Sequence, residues 1–209
     1  MSFGFRLFSP LVVAGAGLLS ACGSARPITY YTLDPPTVTA APQRLDIALL
    51  VGRVGAPLAY RETRILYRTG PNSLGSYDQS RWVEPPPSMC EEMLLVALRQ
   101  GRRYRSVQQL SSNAQGDYIV RGRLERFEQV EGNPLQARVW LRASLYEIKA
   151  GRTVWSGSYE HDEPVAAKDL AAVVAALNQN LQHGILELTS GIDQYLAEHP
   201  APPTAAASK

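Results

Sequence analysis

The chain has only two cysteines in 209 residues, Cys22 and Cys90, so a multi-disulfide scaffold is excluded. Its three histidines, His161, His183 and His199, share no metal-ligand spacing and have no cysteine partner, which leaves no zinc motif. A Gly-x-Ser-x-Gly elbow, a phosphate-binding P-loop and a dinucleotide fingerprint are all missing. Cationic residues outnumber acidic ones only by 21 to 19, without a long basic run, so nothing points to nucleic acid. Asp162 and Glu163 are adjacent carboxylates, but neighbours on a strand point to opposite faces, so they read as a solvated turn before Pro164. The sequence therefore predicts no catalytic residues, no metal and no dissociable cofactor, and the protein is expected not to be an enzyme.

The strongest local signal is at the start. A basic segment with Arg6 is followed by an apolar run, Leu11 to Leu19, which is shorter than the ~20 residues that span a hydrocarbon core. Charged, apolar and small-residue regions in that order form a secretory signal. This one ends in Leu19-Ser20-Ala21-Cys22, which resembles the lipobox of bacterial lipoprotein precursors. The resemblance implies removal of residues 1–21 and acylation of Cys22 with diacylglyceryl and N-acyl (palmitate-type) chains. Two or more chains anchor a protein stably where one does not. Gly23 and Ser24 carry no Asp, which on the enterobacterial pattern favours the outer membrane, periplasmic face. With Cys22 acylated, Cys90 has no intramolecular partner, and its apolar helical setting reads as a buried, inert thiol.

Residues 22–43 are rich in Pro, Thr and Ala and read as the lipidated N-terminus and a tether, reaching on the order of 25 Å as a coil. Within it, Ile28 to Leu33 is too apolar for a free linker and is expected to dock as an edge strand. Residues 44–198 read as one domain, followed by a disordered tail over 199–209. The domain pattern predicts a buried strand at Leu45–Val54, short strands at Thr63–Tyr67 and Ser73–Trp82, and a helix started by a Ser88/Glu91 capping box and stopped at Gly101. The three prolines Pro85 to Pro87 are expected to hold off its start. A short strand at Tyr104–Val107 and a three-strand meander follow, with Tyr118–Leu124, Ala137–Leu145 and Thr153–Tyr159 as its strands. One meander face is aliphatic. The other carries Arg, with Trp140, Tyr146, Trp155 and Tyr159, and suits a second packed layer, a homo-oligomer interface or a partner surface. A long helix from Lys168 to Ala197 shows the strongest periodicity and is expected to cross the aliphatic face.

Two further features bear on binding. Arg99, Arg102, Arg103 and Arg105 form the densest basic cluster, which reads as a solvated face or a contact for anionic lipid or an acidic partner. Trp82, between Arg81 and Glu84, reads either as an interface anchor or as a ring closing the core beneath the helix.

Taken in order, the lipobox, Thr29-Tyr30-Tyr31-Thr32-Leu33, the apolar strand ending in Gly52, Arg81-Trp82-Val83-Glu84-Pro85, the Asp117-to-Leu124 strand and the closing Leu/Val helix resemble the ABC-type transport auxiliary lipoprotein family, which includes the paraquat-inducible protein C lipoproteins. The resemblance runs from about Thr29 to Leu196. The chain departs from the family pattern at Val83, where Ala is common, and at Pro86, where Leu is. The family implies an α+β domain, with helices against a mixed sheet, similar to the N-terminal domain of TolB. It also implies an outer-membrane docking component for an MCE-domain protein with its ABC permease and ATPase, a system thought to move lipids or hydrophobic compounds. On that resemblance Tyr30, Tyr31, Arg81, Trp82 and Glu84 are the candidate partner-binding residues. The alternative reading is an envelope lipoprotein that activates a peptidoglycan synthase or assembles a secretion pore.

Overall fold

A computed structural model describes residues 27–111 and 113–200. Eight strands form one mixed sheet: β1 (Thr29–Tyr31), β2 (Leu45–Val51), β3 (Arg64–Gly70), β4 (Ser73–Trp82), β5 (Tyr104–Gln109), β6 (Tyr118–Val130), β7 (Gln136–Glu147) and β8 (Arg152–Pro164). Two helices, α1 (Pro86–Gln100) and α2 (Leu170–Glu198), complete an α+β domain, with a single 3-10 turn at Leu58–Tyr60. The long strand β6 organises the sheet. One of its edges pairs antiparallel with β7 along its whole length, and β8 follows outside β7. The other edge forks: β2 and then β5 attach at Tyr118–Val120, while β3, β4 and β1 attach at Gln129–Val130. Gly55 bridges the fork at Arg123.

Both helices lie on one face and touch each other, α1 over β5 and β6, α2 over β7 and β8. Val173, Leu177, Leu181, Ile185, Leu188, Ile192 and Leu196 of α2 are buried against Ala137, Val139, Leu141, Ala143 and Leu145 of β7 and their neighbours in the core. Each such aliphatic side chain contributes roughly 2 kcal/mol relative to exposure. One polar side chain fixes the register. Asn180, fully buried, donates from Nδ2 to the carbonyls of Ala137 (2.8 Å) and His161 (2.9 Å) and accepts from the Tyr159 hydroxyl (2.7 Å).

Several local expectations are corrected. Helix α1 starts at Pro86 with Pro85 as its cap and no side-chain cap, so Ser88 and Glu91 form no capping box. Pro86 and Pro87 occupy the first turn, where a missing N–H costs nothing because those donors have no intrahelical acceptor. The Glu91 carboxylate instead accepts from the Val54 backbone N–H (3.2 Å) and the Gln109 amide (2.6 Å). At the other end Gly101 keeps a right-handed φ of −59°, and Arg102 takes the left-handed conformation at φ 49°. Helix α2 matches its expected extent to within two residues and is capped by the Asp169 carboxylate, which accepts from the Ala172 N–H (2.8 Å). Asp162 and Glu163 belong to the end of β8, not to a turn, and Asp162 is held by Arg138 through two hydrogen bonds of 2.7 and 2.6 Å.

The segment read as a tether is mostly held by the domain. After β1, Leu33 and Pro36 are buried and Val38 packs against the core. The Asp34 N–H donates to Asn178, the Gln182 amide donates to the Asp34 carbonyl, and Ala41 donates to Gly101. Cys22 and the tail over 201–209 lie outside the described residues.

Candidate docking surfaces

The two sequence runs singled out as candidate binding segments are hydrogen-bonded neighbours. Strand β1 pairs parallel with β4, setting Tyr30 opposite Arg81 and Tyr31 opposite Trp82, with the Val83 N–H donating to the Tyr31 carbonyl. Paired residues share a face and successive residues alternate. Trp82 and Tyr31 therefore point toward the helices. Trp82 is 1% exposed, with its ring 5.4 Å from that of Phe127, and Tyr31 packs against the core. Trp82 is thus a core residue and presents nothing to a partner, because the pleat turns it inward beneath the helix layer. Tyr30 and Arg81 point the other way. The Arg81 guanidinium donates to the carbonyls of Tyr77 and Ser80, and Glu84 is exposed at the entrance to α1.

Glu84 borders a groove of about 830 Å³ between the Arg53–Ala56 loop and the start of α1, also lined by Arg61 and Glu92. A second, shallower groove of about 440 Å³ runs over the outer face of the meander, lined by Arg121, Arg123, Arg142, Ser144, Ser156 and Ser158. Two of the three guanidiniums there share one carboxylate. Glu125 takes Arg123 at 2.9 Å and Arg142 at 3.6 Å, while Arg121 stacks 4.4 Å over the Tyr146 ring. The aromatic side chains expected together on this face are divided. Trp140 and Tyr146 lie on it, whereas Trp155 and Tyr159 pair with Leu145 and Leu141 and turn under α2. The unbroken β7–β8 register from Leu141↔Tyr159 to Leu145↔Trp155 sets that division.

Two of the four arginines of the basic cluster at the end of α1 are engaged, while the Arg103 Nε is buried without a hydrogen-bond partner among the described residues. Arg99 donates to the Val107 carbonyl (3.1 Å), and Arg105 pairs with Asp46 and Asp117, both at 3.3 Å. Among the described residues, no group of three metal-binding side chains occurs, and no helix is long and apolar enough to cross a membrane.

The family model for the ABC-type transport auxiliary lipoprotein component matches residues 31–187. The chain belongs to this family. No curated protein is similar to it at a significant level. Among solved structures it is similar to a DUF330 protein of Xanthomonas campestris, with 26% identity and a TM-score of 0.73, covering 81% of this chain and 98% of that one. It is also similar to a PelC dodecamer from Paraburkholderia phytofirmans (16% identity, TM-score 0.50, 74% and 95% covered) and to a hypothetical protein of Chlamydia trachomatis (8%, 0.51, 74% and 99%). These last two show the fold alone. As a family member, the chain is a transport auxiliary component of lipoprotein type.

The outer-face groove was only half visible in the sequence. Arg121, Arg123 and Arg142 alternate with apolar residues, which signals an Arg-bearing face. That three serines beside them would leave a groove there depends on the β6–β7–β8 register.

Proposed function

We propose that the protein is an outer-membrane lipoprotein, acylated at Cys22, that serves as a non-catalytic docking component of an MCE-type ABC transport system for lipids or other hydrophobic compounds. The observation that carries this reading is the family match over residues 31–187. The lipobox before it supplies the anchor, and the lack of Asp after Cys22 favours the outer membrane. The partners on this reading are an MCE-domain periplasmic protein, a permease and an ATPase. The exposed side chains of Tyr30 and Glu84, the half-buried Arg81 between them and the Arg-lined groove are the surfaces open to them.

The test is affinity purification of the detergent-extracted lipoprotein with identification of co-purifying proteins by mass spectrometry. Recovery of an MCE protein with its permease and ATPase supports the reading. Recovery of a peptidoglycan synthase or a secretion pore in their place overturns the transport role and leaves the anchor. Cys22→Ala is expected to move the folded protein out of the membrane fraction. Retention there would refute the anchor.

A further inference from the structure

Three large apolar side chains stand exposed at one edge of the sheet: Ile28 at 48%, Tyr30 at 61% and Val83 at 50%. Strand alternation and the β1–β4 pairing put all three on the same side, with Arg81 among them. They flank β1, the terminal strand of its branch, whose outer backbone edge pairs with no other strand among the described residues. An unpaired edge bearing apolar side chains is normally an aggregation hazard that proteins cover or charge.

The chain itself indicates what covers this edge. Only six residues, 23 to 28, separate Cys22 from Thr29. Fully extended, they reach roughly 25 Å, so on the acyl-anchor reading β1 cannot leave the neighbourhood of the bilayer surface. The patch has the chemistry of a membrane interface. Tyrosine sits at headgroup level, aliphatic side chains enter the acyl boundary, and an arginine beside them meets lipid phosphate. Its edge N–H and C=O groups would lie in the hydrated headgroup layer, where they can be satisfied.

We propose that the β1 edge, through Ile28, Tyr30 and Val83, seats on the phospholipid surface and fixes the orientation of the domain on the membrane. The inference rests on the acyl-anchor part of the proposed function. The Arg-lined groove, centred on β7, then lies about 19 Å across the sheet, four strand spacings away.

The test uses the full lipidated protein in phosphatidylethanolamine–phosphatidylglycerol vesicles, with an environment-sensitive fluorophore on Glu84→Cys or, separately, on Ser158→Cys. Cys90 is buried and Cys22 is acylated, so neither takes the label. Headgroup-level nitroxide lipids are expected to quench the Glu84 site severalfold more than the Ser158 site. The triple variant Ile28→Ser/Tyr30→Ser/Val83→Ser, which alters only exposed side chains, is expected to bring the two sites to the same low quenching while the protein still floats with the vesicles. Equal quenching at both sites in the parent, or no change in the triple variant, overturns the proposal with the anchor intact. Failure of the parent protein to float overturns the anchor, and the proposal with it.

Discussion

Removing Arg68 from beneath its partner should be among the most damaging single changes in the domain. Glu128 lies on β6 with no exposed surface, yet it faces the outer side of the sheet. Its carboxylate accepts from Arg68 Nε at 2.6 Å and Nη2 at 3.1 Å, and from the Tyr60 hydroxyl at 2.6 Å. The ion pair is bidentate, and Arg68 is 16% exposed against none for Glu128. Arg68→Met leaves the carboxylate buried with one neutral donor, a loss that typically costs 3–5 kcal/mol. Water can follow the vacated arginine path, so the lower end, about 3 kcal/mol, is expected. For a domain of this size that is a fall in Tm of about 6–12 °C. Tyr60→Phe removes one hydrogen bond to a charged group and should cost about 1.5 kcal/mol. Arg68→Met/Glu128→Leu should cost less than the sum of its single changes, because no unpaired charge remains. The assay is urea unfolding of the Cys22→Ala mature chain at pH 7, followed by circular dichroism. A loss below about 1 kcal/mol for Arg68→Met, the value of an exposed pair, would refute the reasoning. The pH dependence offers a second check. Burial, then the Glu128 carboxylate, push the Tyr60 hydroxyl up from 10.0 to about 12. A raised folded-state value gives stability that is present below pH 10 and lost as pH rises toward 12. Tyr60→Phe should flatten that alkaline loss.

Gly184→Ala should destabilise the domain by about 1 kcal/mol or more despite the higher helix propensity of alanine, since the overpacking cost of 1–3 kcal/mol exceeds it. A Cβ there meets the Tyr159 ring at 2.6 Å, and that ring is pinned by its hydroxyl to Asn180. Gly191→Ala meets the Trp155 ring at 2.7 Å, and that ring is also packed against Gly157, so it too should destabilise by about 1 kcal/mol in the same urea assay. Two hydrogen bonds from Arg138 hold the Asp162 carboxyl below its ordinary 3.8. The stability this gives is present above the ordinary value and lost as pH falls below it, so Asp162→Asn should reduce the acid-side loss in unfolding curves taken from pH 5 down to about pH 2.5. Burial, then Glu91, push the Cys90 thiol up to about 12. It should resist alkylation at pH 8 in the native protein and react fully in denaturant, as mass spectrometry would show; rapid native labelling would refute its burial.

The strands and the long helix were legible because each follows a local period. Ser73–Trp82 coincides with β4, and the buried side of α2 follows the apolar recurrence from Val173 to Ile192. The period failed where one residue was inserted. Tyr118, Val120 and Leu124 point to the helices as alternation requires, but the bulge at Glu125 shifts the count, so Phe127 turns inward and Arg126 and Glu128 turn outward. Glu128 was invisible as a buried charge for that reason. Its partners Arg68 and Tyr60 stand 60 and 68 residues away and meet it only through the β3–β6 pairing and the turn at Leu58–Tyr60. The helix start was misread because a capping box is a local pattern, whereas three prolines change which backbone donors exist to be capped.

Which candidate residues could meet a partner was decided by one long-range pairing. Tyr30 and Tyr31 are adjacent, as are Arg81 and Trp82, and no local rule says which of each pair faces outward. Parallel pairing of β1 with β4 binds the choices together: once Trp82 closes the core against Phe127, Tyr31 must follow it inward, and Tyr30 and Arg81 must face out. The same pairing governs reach. A free segment over 23–43 would let the domain wander, while β1 at Thr29–Tyr31, with Leu33, Pro36 and Val38 behind it, puts only six residues of sequence between Cys22 and the sheet. On the proposed anchor, that converts the lipid from a loose leash into a short mount. A partner would then find the domain at a set height, with the edge at Tyr30 toward the lipid and the Arg121–Arg142 groove three to five strands away from it across the same face.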